Sequence, residues 1–249
     1  MFSENIGHEE KSRYERTRIL TEKSLHFVVT IDGPAGGGKS TVAQDLAKRL
    51  DFDYLDTGAM YRTAALVASR AGVSLDEQSQ VADLLKSHTI VNREGRTYLD
   101  GADVSDEIRT PQITSLTRYT ADNPLVRSHM VLLQRQAAER RRIVTEGRDQ
   151  GTEVFPDAPC KFYLTASPEV RALRRMKQFQ DKGEFPSYDE ILASIIKRDE
   201  GDINRSIGPL RKPADAHIID SSNLSANEVV DMMTAIVTEK FDRKSPCES

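Results

Sequence analysis

The segment Gly33-Pro34-Ala35-Gly36-Gly37-Gly38-Lys39-Ser40 limits what this chain can fold into more than any other. It satisfies GxxxxGK[ST], and its flanks give the pattern physical meaning. Residues 27–31 are a short β-branched run ended by Asp32-Gly33-Pro34, as in a buried strand entering a loop. Beyond the segment, Val42, Ala43, Leu46, Ala47 and Leu50 recur at helical spacing. A glycine-rich turn between strand and helix cradles an anion, because its N–H groups curl inward and the helix adds its positive end. With ATP in the loop, Lys39 lies along the β- and γ-phosphates, the Ser40 hydroxyl holds Mg²⁺ and Thr41 donates to the α-phosphate. The expected triphosphate site is therefore Gly33, Pro34, Ala35, Gly36, Gly37, Gly38, Lys39, Ser40 and Thr41, with Ser40 as metal ligand. Asp32 reads equally as a group near the metal and as a strand-end turn residue.

The remaining pattern alternates. Strands are expected at 143–145, 161–165 and 217–219. Asn123-Pro124 and Ser167-Pro168 open helices carrying Val126, Met130, Leu133 and Ala137, and Val170, Leu173 and Met176. The expected class is α/β, a mostly parallel sheet covered by helices on both faces. Between Arg70 and Arg118 the rhythm changes: 89–92, Glu94-Gly95 and 97–99 read as a hairpin, a small antiparallel insertion. Residues 177–186 are polar and punctuated by Gly and Pro, and 197–212 are basic, so both read as mobile. Residues 1–24, charge-rich and apolar-poor, read as a flexible arm, and 241–249 as a polar tail.

A net charge of -4 argues against a general nucleic-acid coat. The two cysteines, Cys160 and Cys247, form no CxxC pair and support neither a disulfide framework nor a zinc site. No run approaches membrane-spanning length, and the first residues are too polar for a secretory segment. These features lead to an expected cytoplasmic monomer acting on small molecules, without nucleic acid or membrane. The five histidines have no metal-ligand spacing.

A phosphate loop alone does not choose among kinases, GTPases, motors and passive nucleotide sensors. There is no guanine-reading NKxD segment, and the third strand is not an apolar run ending in Asp. It continues instead as Thr145-Glu146-Gly147-Arg148-Asp149. At the C-terminal end of a parallel strand, Arg148 can grip phosphate bidentately and Asp149 can accept from ribose or a base amine; the two also read as an ordinary surface pair. By spacing alone, Arg198, Asp202 and Arg205 are as much a solvated face as a site. Arg171, Arg174 and Arg175 read as a solvent-facing ridge more than as ATP contacts.

IDGPAGGGKST, LDTGAMYR, DVSDEIRT, TEGRDQGTEVFPDA and KRDEGDINR followed by PL and ADA occur in one order. Over residues 27 to 240 the chain thereby resembles the bacterial cytidylate kinases. The resemblance implies a core at 25–56 and 125–240, a monophosphate-binding insertion at 57–124 and a helical lid at 177–212. It implies transfer of the γ-phosphoryl group of ATP to CMP or dCMP with Mg²⁺. Carried over by position, Thr57, Arg62, Arg127, Arg148, Asp149, Arg198, Asp202 and Arg205 hold the acceptor, and Lys39, Arg148, Arg198 and Arg205 serve the transfer.

Three departures stand out. Arg118, beside Thr117, occupies the position of a base-contacting Ser and motivates an alternative acceptor such as UMP. Gly201 and Ile203 stand where relatives often have another arginine or a serine. Gln150 replaces a common Ile or Met. A regulatory module that binds nucleotide without transfer is the remaining alternative; the four arginines Arg62, Arg148, Arg198 and Arg205 speak against it, because a sensor needs no acceptor-phosphate cage.

Overall fold

A computed structural model of the chain describes residues 26–93, 95–181 and 183–244. The expected arm, residues 1–24, lies outside the described residues, as do 245–249.

Five parallel strands form the main sheet: β1 (Phe27–Asp32), β2 (Asp53–Asp56), β6 (Arg142–Gly147), β7 (Cys160–Thr165) and β8 (His217–Asp220), in the order β2-β6-β1-β7-β8. The phosphate-loop strand is central, and its buried pattern follows from having neighbours on both edges and helices on both faces. Strand alternation splits its side chains. Phe27, Val29 and Ile31 pack with α1 (Lys39–Leu50) and α8 (Ala226–Lys244), while Val28 joins the opposite face.

That opposite face carries α2 (Thr57–Arg70), α3 (Gln78–Lys86), α4 (Pro111–Asp122) and α5 (Pro124–Ala138). A three-stranded antiparallel sheet, β3 (Ile90–Arg93), β4 (Arg96–Leu99) and β5 (Ala102–Asp103), lies within this stretch. Its inward residues Ile90 and Leu99 share one apolar cluster with Leu66, Leu85, Ile108 and Met130, and that cluster reaches Val28 and Ile143 of the main sheet. The insertion is therefore cored continuously with the body. The pair α6 (Pro168–Gln180) and α7 (Tyr188–Ile203) has only a small separate cluster, Ala172, Ile191 and Ile195, with Met176 and Phe179 against it.

The helix starts follow their side chains. Asn123 Oδ1 accepts from the N–H groups of Leu125 and Val126, and Ser167 Oγ accepts from Val170 N, each just before a first-turn proline. Ser187 and Glu190 close a reciprocal capping box on α7. The polar tail expected from residue 241 is corrected: α8 continues to Lys244, because Phe241 packs edge-on against Phe27 at 5.2 Å and Phe52 at 5.9 Å under the Arg142 guanidinium. Among the described residues no helix is long and apolar enough to cross a membrane.

Candidate active site

Residues 33–38 turn sharply between β1 and α1. At Gly33, φ is 152°, and a Cβ there would collide with the Leu164 carbonyl oxygen of the neighbouring β7, so only glycine lets the loop leave the strand this close. Gly38 caps α1 at φ 84°, and the helix N-terminus opens into the loop. Lys39 is buried, with Nζ donating to Pro34 O at 2.7 Å. Burial, and next the charge of Arg148, lower its pKa from the usual 10.5 to about 7. Thr41 is exposed on the first turn.

Ser40 Oγ donates to Glu146 Oε1 at 2.8 Å. Glu146, next to last in the strand beside β1, is almost fully buried, so a carboxylate does stand beside the phosphate-loop serine although this strand is not an apolar run ending in Asp. The Tyr54 hydroxyl lies buried beside this pair with no partner at hydrogen-bond geometry; burial, then the charges of Asp56 and Glu146, push its pKa up and keep it a neutral donor. Among the described residues no cluster of three His, Cys, Asp or Glu could hold a metal by itself. A hydroxyl and one carboxylate at a phosphate loop match a hard cation that keeps phosphate and water ligands, as Mg²⁺ does.

Thr57 starts α2 with its hydroxyl donating to Glu146 O at 2.8 Å, and Asp56 caps the same helix by accepting from Ala59 N at 2.7 Å. Asp56 also draws in two arginines, with Arg62 Nη2 at 3.4 Å and Arg109 Nη2 at 3.5 Å. Burial raises its pKa, with the charge of Arg62 opposing. Arg109 was missed by the sequence reading; the signal was its place in DVSDEIRT, a segment quoted there without assigning the arginine.

After β6 the chain makes a π-helical turn, Gln150–Val154. Asp32 accepts from the backbone N–H groups of both Gln150 and Gly151, at 2.8 and 2.7 Å, and so resolves as a brace between β1 and this turn. Burial raises its pKa to about 6, with those two hydrogen bonds opposing. Gln150 also finds its account. Its amide accepts from Thr145 Oγ1 and donates to Gln134 Oε1, each at 3.1 Å, in a buried site that an apolar side chain would leave unpaired. Asp149, buried, forms an ion pair with the equally buried Arg127, whose Nη1 reaches Tyr61 Oη at 3.3 Å.

Arg148 Nε meets Asp202 Oδ2 at 2.6 Å, and Arg205 Nη2 meets Asp202 Oδ1 at 3.1 Å. Burial pushes the Asp202 carboxyl up, but the charge and hydrogen bond of Arg148 and the charge of Arg205 outweigh it and hold it below the usual range. Protein crowding, then the like charge of Arg148, hold the Arg198 guanidinium below the ordinary arginine range. The expected ridge at 171–175 divides. Arg171 is buried, with Nη1 donating to Ala35 O of the phosphate loop at 2.9 Å and Nη2 2.6 Å from Asp199 of α7. Arg174 donates to Ser221, and Arg175 stays exposed. Arg118 is exposed and sits 3.3 Å from Asp122, while Thr117 donates to Ile113 O. Ile203 is exposed and nothing approaches Gly201.

The cytidylate kinase family model matches residues 29–239. A cytidylate kinase of Rhodopirellula baltica is 46% identical over 213 residues, which cover 86% of this chain and 93% of that one. One from Fervidobacterium nodosum is 46% identical over 216 residues, 87% and 98% of the two chains. The crystal structure of an uncharacterized protein from Eubacterium ventriosum aligns at a TM-score of 0.50 and 14% identity over 85% of this chain and 98% of that chain, a likeness of fold alone. A match that runs from the phosphate-loop strand almost to the end of α8 takes in every element described around the cleft: the chain belongs to the cytidylate kinase family.

Proposed function

We propose that this protein transfers the γ-phosphoryl group of ATP to CMP or dCMP, giving ADP and CDP or dCDP. The observation that carries the reading is one of placement: the phosphate loop with Lys39 follows β1, Arg148 follows the neighbouring parallel strand β6, and Asp202 Oδ2 at 2.6 Å holds that arginine beside the loop. Arg148 is also one of the charges that lower the Lys39 pKa. Such repulsion is offset by polyanion binding, and phosphoryl transfer is the chemistry that brings two phosphate groups between them.

Phosphoryl transfer depends on alignment and charge neutralisation, because the transition state spreads charge over equatorial oxygens. Lys39 neutralises the donor phosphates, and Arg148, Arg198 and Arg205 face the group in transit. Arg62 and Arg109, gathered by Asp56, bind the acceptor phosphate. Thr57, Arg127, Asp149 and Asp202 orient its sugar and base. The acceptor monoester has a second pKa near about 6, so at neutral pH it is mostly dianionic and needs no general base. Ser40 and Glu146 would hold Mg²⁺, with Tyr54 free to donate to a ligand water. When bound, the ion supplies charge neutralisation to the phosphates.

The lid is the stretch 177–212, that is the end of α6, α7 and the segment after it, which carries Arg198, Asp202 and Arg205. Its small separate cluster suits movement, and closure excludes water that would otherwise take the phosphoryl group. The same reading makes the protein a cytoplasmic monomer acting on free nucleotides, consistent with the buried free thiol of Cys160. Arg118 is exposed and paired with Asp122, so its link to base choice is left to the acceptor panel below.

The test is ADP release from ATP-Mg²⁺ with CMP, dCMP, UMP, AMP or GMP added separately, against an acceptor-free control. Release dependent on CMP and dCMP is expected. A preference for AMP or GMP, or release indifferent to all five, would overturn the assignment.

A further inference from the structure

Arg118 and Asp122, one turn apart on α4, begin a line of alternating charge that leads to the transfer arginines. Arg118 Nε is 3.3 Å from Asp122 Oδ2, and Asp122 Oδ1 is 2.7 Å from Arg205 Nε. Arg205 Nη2 is 3.1 Å from Asp202 Oδ1, and Asp202 Oδ2 is 2.6 Å from Arg148 Nε. Each carboxylate divides its two oxygens between two arginines. Side-chain exposure falls from 75% at Arg118 and 38% at Asp122 to 14% at Arg205 and 9% at Asp202, with Arg148 at 18%, so screening is weaker at the inner end than at Arg118.

Asp202 and Arg205 are three residues apart and travel together. Asp122 does not: it ends α4, in the insertion on the other side of the cleft. We infer that Asp122 is a positioning residue for phosphoryl transfer, reaching across to fix the Arg205 guanidinium, with Arg118 holding the Asp122 carboxylate in place. The inference rests on the kinase reading of Arg205. With Nε on Asp122 and Nη2 on Asp202, the planar fork is oriented by carboxylates from two elements, and Nη1 remains for a phosphate oxygen. An arginine fixed beforehand loses less side-chain freedom on meeting its ligand. The unusual Arg118 thus acts two steps from the chemistry, through charge.

The test compares wild type, Asp122→Ala, Asp122→Asn, Arg205→Ala and the Asp122→Ala/Arg205→Ala pair in CMP-dependent turnover. Asp122→Ala and Asp122→Asn are expected to lower kcat/KM about tenfold, the size of the coupling of one partly buried ion pair. Arg205→Ala is expected to cost on the order of a hundredfold. The double variant should match Arg205→Ala alone, since Asp122 works only through that side chain. Losses that multiply, or an unchanged Asp122→Ala, overturn the inference.

A second arm does not depend on turnover. Amide exchange in the nucleotide-free protein should quicken over residues 198–208 in Asp122→Ala and stay unchanged over 57–70. Unaltered exchange over 198–208 overturns the inference. Wild-type protein inactive on CMP would sink the acceptor assignment, while the exchange arm still decides the role of Asp122.

Discussion

The donor side and the transfer side of this cleft are built by different means. The phosphate loop is one continuous segment between β1 and α1, shaped by backbone angles and a glycine pressed against Leu164. The arginine cluster draws Arg148 from the end of β6, Arg198 and Asp202 from α7, Arg205 from beyond it and Asp122 from α4, joined only through side-chain charge. Backbone construction fixes a shape through local φ angles and close backbone contacts. Ion-pair construction can exchange a carboxylate for a phosphate, as the proposed transfer role of these arginines requires.

The contrast is sharpest in turnover. Lys39→Ala should lower kcat by a hundredfold or more, and Arg148→Ala by a similar order, with unfolding temperatures near wild type. A stopped ADP-release assay beside thermal melts checks this, and near-normal turnover in either variant would remove it from the transfer step. Gly33→Ala should do the reverse, acting through structure. A Cβ forced against a backbone carbonyl at positive φ should cost roughly 1–3 kcal/mol of stability and most nucleotide affinity, visible in denaturant midpoints. If Gly33→Ala melts like wild type and binds ATP normally, the donor side is less rigid than its geometry implies.

Glu146→Gln keeps the hydrogen bond from Ser40 but loses the charge, so the Mg²⁺ concentration for half-maximal activity should rise about tenfold. An unshifted Mg²⁺ dependence would reassign Glu146 as a structural acceptor for Ser40 and Thr57.

The smallest effect is a proton. Lys39 titrates at about 7 in the free protein because burial and Arg148 disfavour the ammonium, whereas a bound triphosphate favours it. Binding therefore takes up a proton above pH 7. Affinity for a non-hydrolysable ATP-Mg²⁺ analogue should be flat just below pH 7 and weaken by up to about tenfold per unit above it. Calorimetry at pH 8.5 in two buffers of different ionisation enthalpy counts the protons; zero uptake would mean Lys39 is charged throughout.

The same contrast decides what could be read beforehand. β1, the loop and α1 announce themselves through local pattern, as do the starts of α5 and α6 at Asn123 and Ser167. β2 did not: of Asp53-Tyr54-Leu55-Asp56 only Leu55 is buried, so an edge strand leaves little alternation. Arg198, Asp202 and Arg205 read as much like a solvated face as a site because spacing does not reveal that Asp202 is buried between two arginines. Arg171 misled in the same way, its partners Ala35 and Asp199 being distant in sequence. Glu146 was hidden by a search for Asp, although what the site requires is a carboxylate at that strand end. Motif order supplied Arg62, Arg127 and Arg205, which spacing could not.

Asp32 ties β1 to the turn after β6. One carboxylate, accepting from Gln150 and Gly151, spans the gap between the strand that feeds the phosphate loop and the turn that follows Arg148 and Asp149. It works as a gauge block: the spacing between β1 and this turn is set by the width of a single carboxyl group. On the proposed reading, adaptation to a larger or smaller base must then come from elements other than this braced turn, while the in-line distance for transfer stays machined into the sheet.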